Sequence, residues 1–304
     1  MMKNQNYDEF CESIKTEVAN RVSECKVSIL RGKKINNVKK IGLVFEEKSL
    51  NMTPVIYLEK FYKEYLQGNN FNEIVKEIVL LYHEAKKGNI IDTEKLMNFE
   101  DIKNKIGLKL INTENNREFL EFIPSIPFLD LSIIFYIIIE TNPGGLAEKN
   151  ITNEDMDIWE VSVQDLWEHA LKNSSGMFSA VLQTMDGVIK ERQGAGKEEN
   201  LFTENIGKKD NMYVLSNQLK CYGASCIAYP GVPEMIWKIL KSDYYIIPSS
   251  TEEMIIIPEH RISGSVEEWN AMLYELNSAH IAAEKVLSNH CYRYIRFAKK
   301  VVMI

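Results

Sequence analysis

The run from Ile133 to Ile139, IIFYIII, constrains this chain more than any other segment. Its seven residues fall far short of the roughly 20 that a helix needs to cross a bilayer. β-Branched and aromatic side chains fill it, and their restricted rotamers suit a pleated surface better than a helix. With no polar residue alternating among the apolar ones, the run is expected to be a fully buried strand inside a layered domain.

Around that strand the second half of the chain reads as hairpins followed by helices. Leu108 to Asn112, a polar break at Asn115 and Asn116, Pro124 and Pro127, and the apolar run give the first strands; Asn142 to Gly145 reads as a turn, and Trp159 to Ala170 as helix. Met212 to Asn217 and Ala224 to Tyr229, joined by a turn around Gly223, predict a second hairpin, with Pro233 to Leu240 as its helix. Tyr244 to Ile247 and Met254 to Ile257, joined by a Pro248-Ser249-Ser250 turn, predict a third, with Val266 to Ile281 as helix. Hairpins pair strands antiparallel.

The first third differs. Phe10, Ile14, Val18, Val22, Cys25 and Ile29 recur at helical spacing and predict one long helix ended by Gly32. A short strand is expected over Ile41 to Phe45, then a helix opened by Pro54 and carrying Val55, Leu58, Phe61, Tyr62 and Tyr65, then another from Phe71 to Gly88. The expected class is therefore α+β: a helical N-terminal third followed by an antiparallel sheet built from hairpin-then-helix units. Four regions result: a mainly helical one over residues 1–106, a first hairpin-helix region over 107–186, a flexible loop or linker over 187–211, and two hairpin-helix units with a tail over 212–304, read together as one continuous unit.

Chemistry is harder to find. Gly194-Ala195-Gly196-Lys197 lacks the earlier glycine of a phosphate loop, where Glu191 stands, and the following Ser or Thr, where Glu198 stands. His83-Glu84 opens like a zinc helix, but Lys87 occupies the place of the second histidine. Cys221, Cys226, His290 and Cys291 lack the tight spacing of a structural zinc site, and Ser263-Gly264-Ser265 has no strand feeding a nucleophile elbow. Glu46 and Lys48 follow a strand as in half of a nuclease metal site, without an upstream Pro-Asp partner. No cofactor and no bound metal is expected. Asp130 draws more interest, because a carboxylate beside a buried strand must be paired, hydrogen-bonded or shifted in pKa. Asn112, Asp130, Ser249 and Ser250 are the candidate binding residues.

A formal charge of −7 disfavours a diffuse grip on nucleic acid or anionic lipid. The tail nevertheless interleaves Arg293, Arg296, Lys299 and Lys300 with Tyr292, Tyr294 and Phe297, a pattern able to hold phosphates and stack bases. Five cysteines at irregular spacing do not make a disulfide framework, and Met1 to Phe10 carries no secretory signature, so a cytoplasmic protein that does not enter a membrane is expected.

The segments KLINTENNREFLEFIPSIPFLDLSIIFYI (Lys109 to Ile137), MYVLSNQ, GASCIAYPGV, YYIIPSSTEEMIIIPE and LYELN, with TPVIYLEKFYKEYLQG earlier, resemble an uncharacterised bacterial family, domain of unknown function 5688. The resemblance implies one coherent α+β protein and assigns no catalytic residue. The positions that carry it include Asn112, Asn116, Pro124, Pro127, Asp130, Pro230, Pro248, Ser249, Ser250 and Asn277. With no complete catalytic motif, the expected function is that of a non-enzymatic binding or interaction protein whose partner is another protein. A hydrolase or metal-dependent nuclease built on a carboxylate such as Asp130 or Glu46, and a nucleic-acid binder using the basic tail, are the alternatives.

Overall fold

The computed structural model describes residues 5–47, 55–88, 93–142, 145–174, 176, 178–196, 199–203, 210–261 and 264–304. The fold is α+β and divides into two compact units, Met1–Leu96 and Met97–Ile304.

In the first unit, α1 (Tyr7–Arg21) is started by a capping box in which the Asn6 side chain accepts from the Glu9 N–H and Glu9 reaches back to the Asn6 N–H. Its stripe of Phe10, Ile14 and Val18 is buried. The long helix predicted to Gly32 stops early: Val22 is already extended, and Lys26–Lys33 form strand β1 against β2 (Lys39–Glu46), with Val27 opposite Phe45 and Ile29 opposite Leu43. Val27 and Ile29 satisfy a two-residue period as well as Cys25 and Ile29 satisfy the helical one, and pairing with β2 decides between them. Strand β3 (Val55–Tyr57) completes the antiparallel sheet by placing Ile56 opposite Leu43, so the helix predicted to begin at Pro54 begins instead as α2 (Glu59–Leu66). Pro54 itself lies outside the described residues. Helix α3 (Phe71–Gly88) closes the core, its Tyr82 ring stacked on Phe45 with centroids 4.4 Å apart.

The second unit holds two antiparallel sheets. In the first, β4 (Ile106–Asn112), β5 (Ser125–Phe128), β6 (Leu131–Asn142) and β7 (Gly145–Asn150) are arranged with β4 along one side of β6, and with β5 and then β7 along the other. Strand β6 is the IIFYIII run, and Ile133 to Ile138 are all buried as expected. Helix α4 (Val163–Ser174) and the 3-10 turn Gly223–Ala228 both pack against β4 of this sheet. The turn expected at Asn142 to Gly145 includes positions 143 and 144, which lie outside the described residues.

The second sheet runs in the order β13-β12-β10-β11-β9-β8. Its strands are β8 (Ala180–Thr184), β9 (Tyr213–Asn217), β10 (Tyr244–Ser250), β11 (Glu253–Pro258), β12 (Tyr292–Ile295) and β13 (Lys300–Met303). Two expectations are corrected here. Ala224 to Tyr229 is not a strand: Tyr222 takes a left-handed φ of 53°, the chain coils as the 3-10 turn, and β9 pairs instead with β8 and β11. Nor do Ser249 and Ser250 form the turn of the third hairpin. Strand β10 continues through them with a bulge between Ile247 and Ser250, and the reversal falls at Thr251 and Glu252.

Helix α5 (Met185–Arg192), capped by Thr184, occupies the start of the segment expected to be loop. Farther along, Asn200 and Leu201 are tied to β8: the Leu201 N–H donates to the Leu182 carbonyl at 2.8 Å, and the Asn200 side chain bonds to Leu182 N–H and Ala180 O. Helix α7 (Val266–Ala279) follows the β10–β11 hairpin as expected, and α6 (Val232–Leu240) forms where a helix was expected but follows the 3-10 turn instead of a hairpin.

Candidate functional site

Asp130 sits in the two-residue reversal between β5 and β6, where Leu129 adopts φ 57°. Its Oδ2 accepts the Ser288 hydroxyl at 2.6 Å, its Oδ1 accepts the Tyr292 hydroxyl at 2.6 Å, and His290 Nδ1 stands 3.3 Å from Oδ2. Asn112, at the end of β4, donates from Nδ2 to the Leu287 carbonyl at 2.7 Å and accepts the Asn115 N–H at 2.8 Å. Thr113 N–H reaches the Asp130 carbonyl, so Asn112 and Asp130 converge on one stretch of chain, residues 287–292, leading into β12. Ser249 and Ser250 do not join them. Among the described residues no hydrogen bond links either hydroxyl to that cluster, and Ser250 Oγ instead accepts the Glu252 N–H at 3.2 Å.

Aspartate, histidine and serine side by side invite comparison with a hydrolase triad, and the geometry does not match one. Ser288 is 1 % exposed, gives its proton directly to Asp130, and accepts the backbone N–H of His290 at 2.8 Å. The imidazole therefore does not activate the hydroxyl. Hydrogen bonds to an ionised carboxylate contribute about 1.5–3 kcal/mol each, so Asp130 acts as a tie that fastens the β5–β6 turn to β12. Glu46 belongs to the first unit, where it bonds Lys26 and Ser28 on an exposed strand, while Lys48 lies outside the described residues.

The basic tail is a hairpin. The Lys299 N–H donates to the Arg296 carbonyl, closing a tight turn between β12 and β13. Arg293 is held by Glu259 at 2.5 Å, and the Arg296 guanidinium lies 3.8 Å from the centre of the Trp237 ring. Phe297 at the tip is 100 % exposed. Among the described residues, strand β13 ends the sheet and is paired on one side only. Because Ile304 N–H points inward to the Cys291 carbonyl and Arg293 lies opposite Val302, the alternation of an antiparallel ladder turns the backbone groups of Val301 and Met303 outward. A small cavity of ≈ 30 Å³ beside Ile304 is lined by Tyr245, Ile247, Val266, Trp269 and Cys291. That volume admits one or two water-sized groups, enough for the tip of a side chain.

Sequence reasoning missed a second polar group. Lys109, in the middle of β4, is 1 % exposed and forms a short ion pair with Glu148 of β7 across strand β6. The Tyr222 hydroxyl donates to the same carboxylate oxygen at 3.1 Å, and the Lys109 ammonium lies 4.6 Å from the centre of the Tyr222 ring. The signal was present: a lysine inside the otherwise apolar IGLKLI must find an anion or lose its charge. Which anion could not be read, because Glu148 lies in a strand with no apolar pattern.

Burial lifts the Cys226 thiol from 9.0 to about 12 and those of Cys221 and Cys291 to about 11, and raises the phenols of Tyr136, Tyr222, Tyr229, Tyr244 and Tyr292. An acid kept protonated in the fold and free to ionise when unfolded favours the unfolded chain once pH passes its unfolded value. Stability is therefore expected to be fully present below pH 9.0 and to decline from there until the folded thiols ionise at about 11 to about 12. Urea midpoints followed from neutral pH upward check this, and a flat profile would contradict it.

Neither curated proteins nor solved structures provide a match to this chain. A family model described as a family of unknown function, DUF5688, matches residues 7–296, which takes in both compact units. By that match over nearly its whole length, the chain belongs to the DUF5688 family.

Proposed function

We propose that this is a non-enzymatic binding protein of the bacterial cytosol that takes an extended, acidic segment of another protein along the open edge of β13. The observation that carries the reading is the contrast between the two ends of the six-stranded sheet. At β8 the edge is occupied by Asn200 and Leu201, whereas at β13 the outward groups of Val301 and Met303 meet no strand among the described residues. An unpaired edge is a template for strand addition, in which main-chain hydrogen bonds give affinity and side-chain pockets give selectivity.

Charge selects the occupant. Lys299 and Lys300 stand at the start of β13, so an acidic segment brings complementary charge to this edge. Arg293 and Arg296 are engaged by Glu259 and Trp237, which leaves the stacking and phosphate contacts of a nucleic-acid grip with less to work with. The cavity beside Ile304 offers an apolar residue of an added strand a place to rest its tip. Cys11, Cys25, Cys221, Cys226 and Cys291 are free thiols, which suits a reducing compartment.

A fluorescently labelled peptide alternating glutamate with valine is the probe. It is expected to bind at low salt, to weaken as salt rises, and to lose at least about tenfold in affinity in Val301→Pro, where proline removes an outward N–H without breaking the pairing to β12. The reading fails if the acidic peptide does not bind, if Val301→Pro binds it unchanged, or if a single-stranded oligonucleotide competes better than the peptide does.

A further inference from the structure

The β1–β2 hairpin of the first unit gathers positive charge at its tip. From Lys26 to Phe45 the sequence carries six basic residues and no acidic one, in a chain of formal charge −7. Acids of the fold close on the two basic residues farthest from the tip: Glu46 pairs with Lys26 at 3.1 Å, and Asp8 with Arg31 at 3.1 Å. The other four, Lys33, Lys34, Lys39 and Lys40, surround the turn Ile35–Asn37. Asn36 and Asn37 take φ of 61° and 56°, so the chain reverses tightly and the tip stays as narrow as two strands. The register sets Lys33 directly opposite Lys39, a like-charge pairing that costs stability. An anion seated between the two turns that cost into attraction.

We propose that this hairpin tip is a docking element for duplex DNA, entering the major groove as a two-stranded ribbon. The placement of the lysines on both faces of the ribbon selects that partner. Lys33 and Lys39, paired across the ladder, share one face. Lys40 follows Lys39 and so lies on the other, together with Gly42 and its partner Tyr57. Lys34 joins that second face, since its ammonium lies 4.4 Å from the centre of the Tyr57 ring. Gly32, opposite Lys40, keeps the same face open, with nothing within 4 Å of where a Cβ would stand. Lys33, Lys34 and Lys39 are exposed and Lys40 is half-buried. A flat anionic membrane or a single acidic strand meets the cations of one face only. A groove walled by phosphates on both sides meets both, and the B-form major groove, about 12 Å wide, admits a β-ribbon. The deep, narrow major groove of duplex RNA does not. The tip belongs to the first unit and the β13 edge to the second, so this inference stands apart from the peptide reading.

The test follows fluorescence anisotropy of a labelled, short DNA duplex with the full chain at several salt concentrations. Binding is expected at low salt, falling on a log–log plot with the slope of a few neutralised phosphates. Lys33→Gln with Lys39→Gln removes the cations of one face, and Lys34→Gln with Lys40→Gln those of the other. Each pair is expected to weaken binding at least about fivefold and to lower the salt slope by about two. Val301→Pro, in the second unit, is expected to bind the duplex like the wild type. The proposal is overturned if the duplex does not bind at low salt, or if only one of the two lysine pairs matters. It is equally overturned if duplex RNA, poly-glutamate or vesicles of anionic phospholipid bind as tightly as the DNA and lose affinity in the same variants.

Discussion

Gly223→Ala is expected to lower the stability of the second unit by about 3 kcal/mol or more, near the upper end of what overpacking costs. A Cβ at this position would lie 2.2 Å from Ser216 Oγ, 2.5 Å from the Glu252 carbonyl oxygen and 2.7 Å from the Asn217 nitrogen. Two of those three atoms are backbone, one at the end of β9 and one in the β10–β11 reversal, so no rotamer change relieves the clash. The Ser216 hydroxyl also donates to the Glu252 carbonyl at 2.8 Å, and moving it aside leaves that bond unmade. In a unit of this size the loss corresponds to a fall in melting temperature of about 10 °C. Gly32→Ala is the control, since nothing lies within 4 Å of its added methyl group. A Gly223→Ala protein that melts like the wild type would show that the 3-10 turn is not wedged between β9 and the hairpin.

That turn also shows where sequence pattern stops being informative. GASCIAY is a short run of small and apolar residues that composition allows as a strand, and nothing within it records that Gly223 must approach two other backbones or that Tyr222 must take a positive φ. The constraint comes from contacts with distant segments. The same holds for β1, where Val27 and Ile29 fit two periods and the choice is made by a partner strand beyond the intervening turn. By contrast, IIFYIII could only be an interior strand, and the β10–β11 hairpin with its helix announced itself by apolar runs on either side of a polar reversal. Of the candidate residues, Asp130 and Asn112 were legible because polar side chains at the ends of buried strands must be satisfied, and their carboxylate and amide do meet on the 287–292 segment. Ser249 and Ser250 were misplaced because a bulged strand and a turn have the same composition. Lys109 was marked by its place inside the apolar IGLKLI, but its partner was not legible, because Glu148 lies in a strand with no apolar pattern.

Replacing Lys109 is the sharpest test of what the buried pair does. Lys109→Met keeps the length and most of the volume of the side chain and removes its charge, leaving Glu148, 15 % exposed, with the Tyr222 hydroxyl and without the ammonium. Removing one member of a buried pair costs about 3–5 kcal/mol, mainly because the remaining charge is stranded in a poor dielectric. The double variant Lys109→Met with Glu148→Leu strands nothing, and apolar side chains that fill the same volume often match or exceed an ion pair in stability. The expected order is therefore single variant lowest, with the double variant recovering most of the loss, as read from urea denaturation of all three proteins. If the double variant is no better than the single one, the ammonium is held by its packing against Tyr222 and Tyr136 and not by Glu148, which would move the energetic centre of this site from the ion pair to the two aromatic rings.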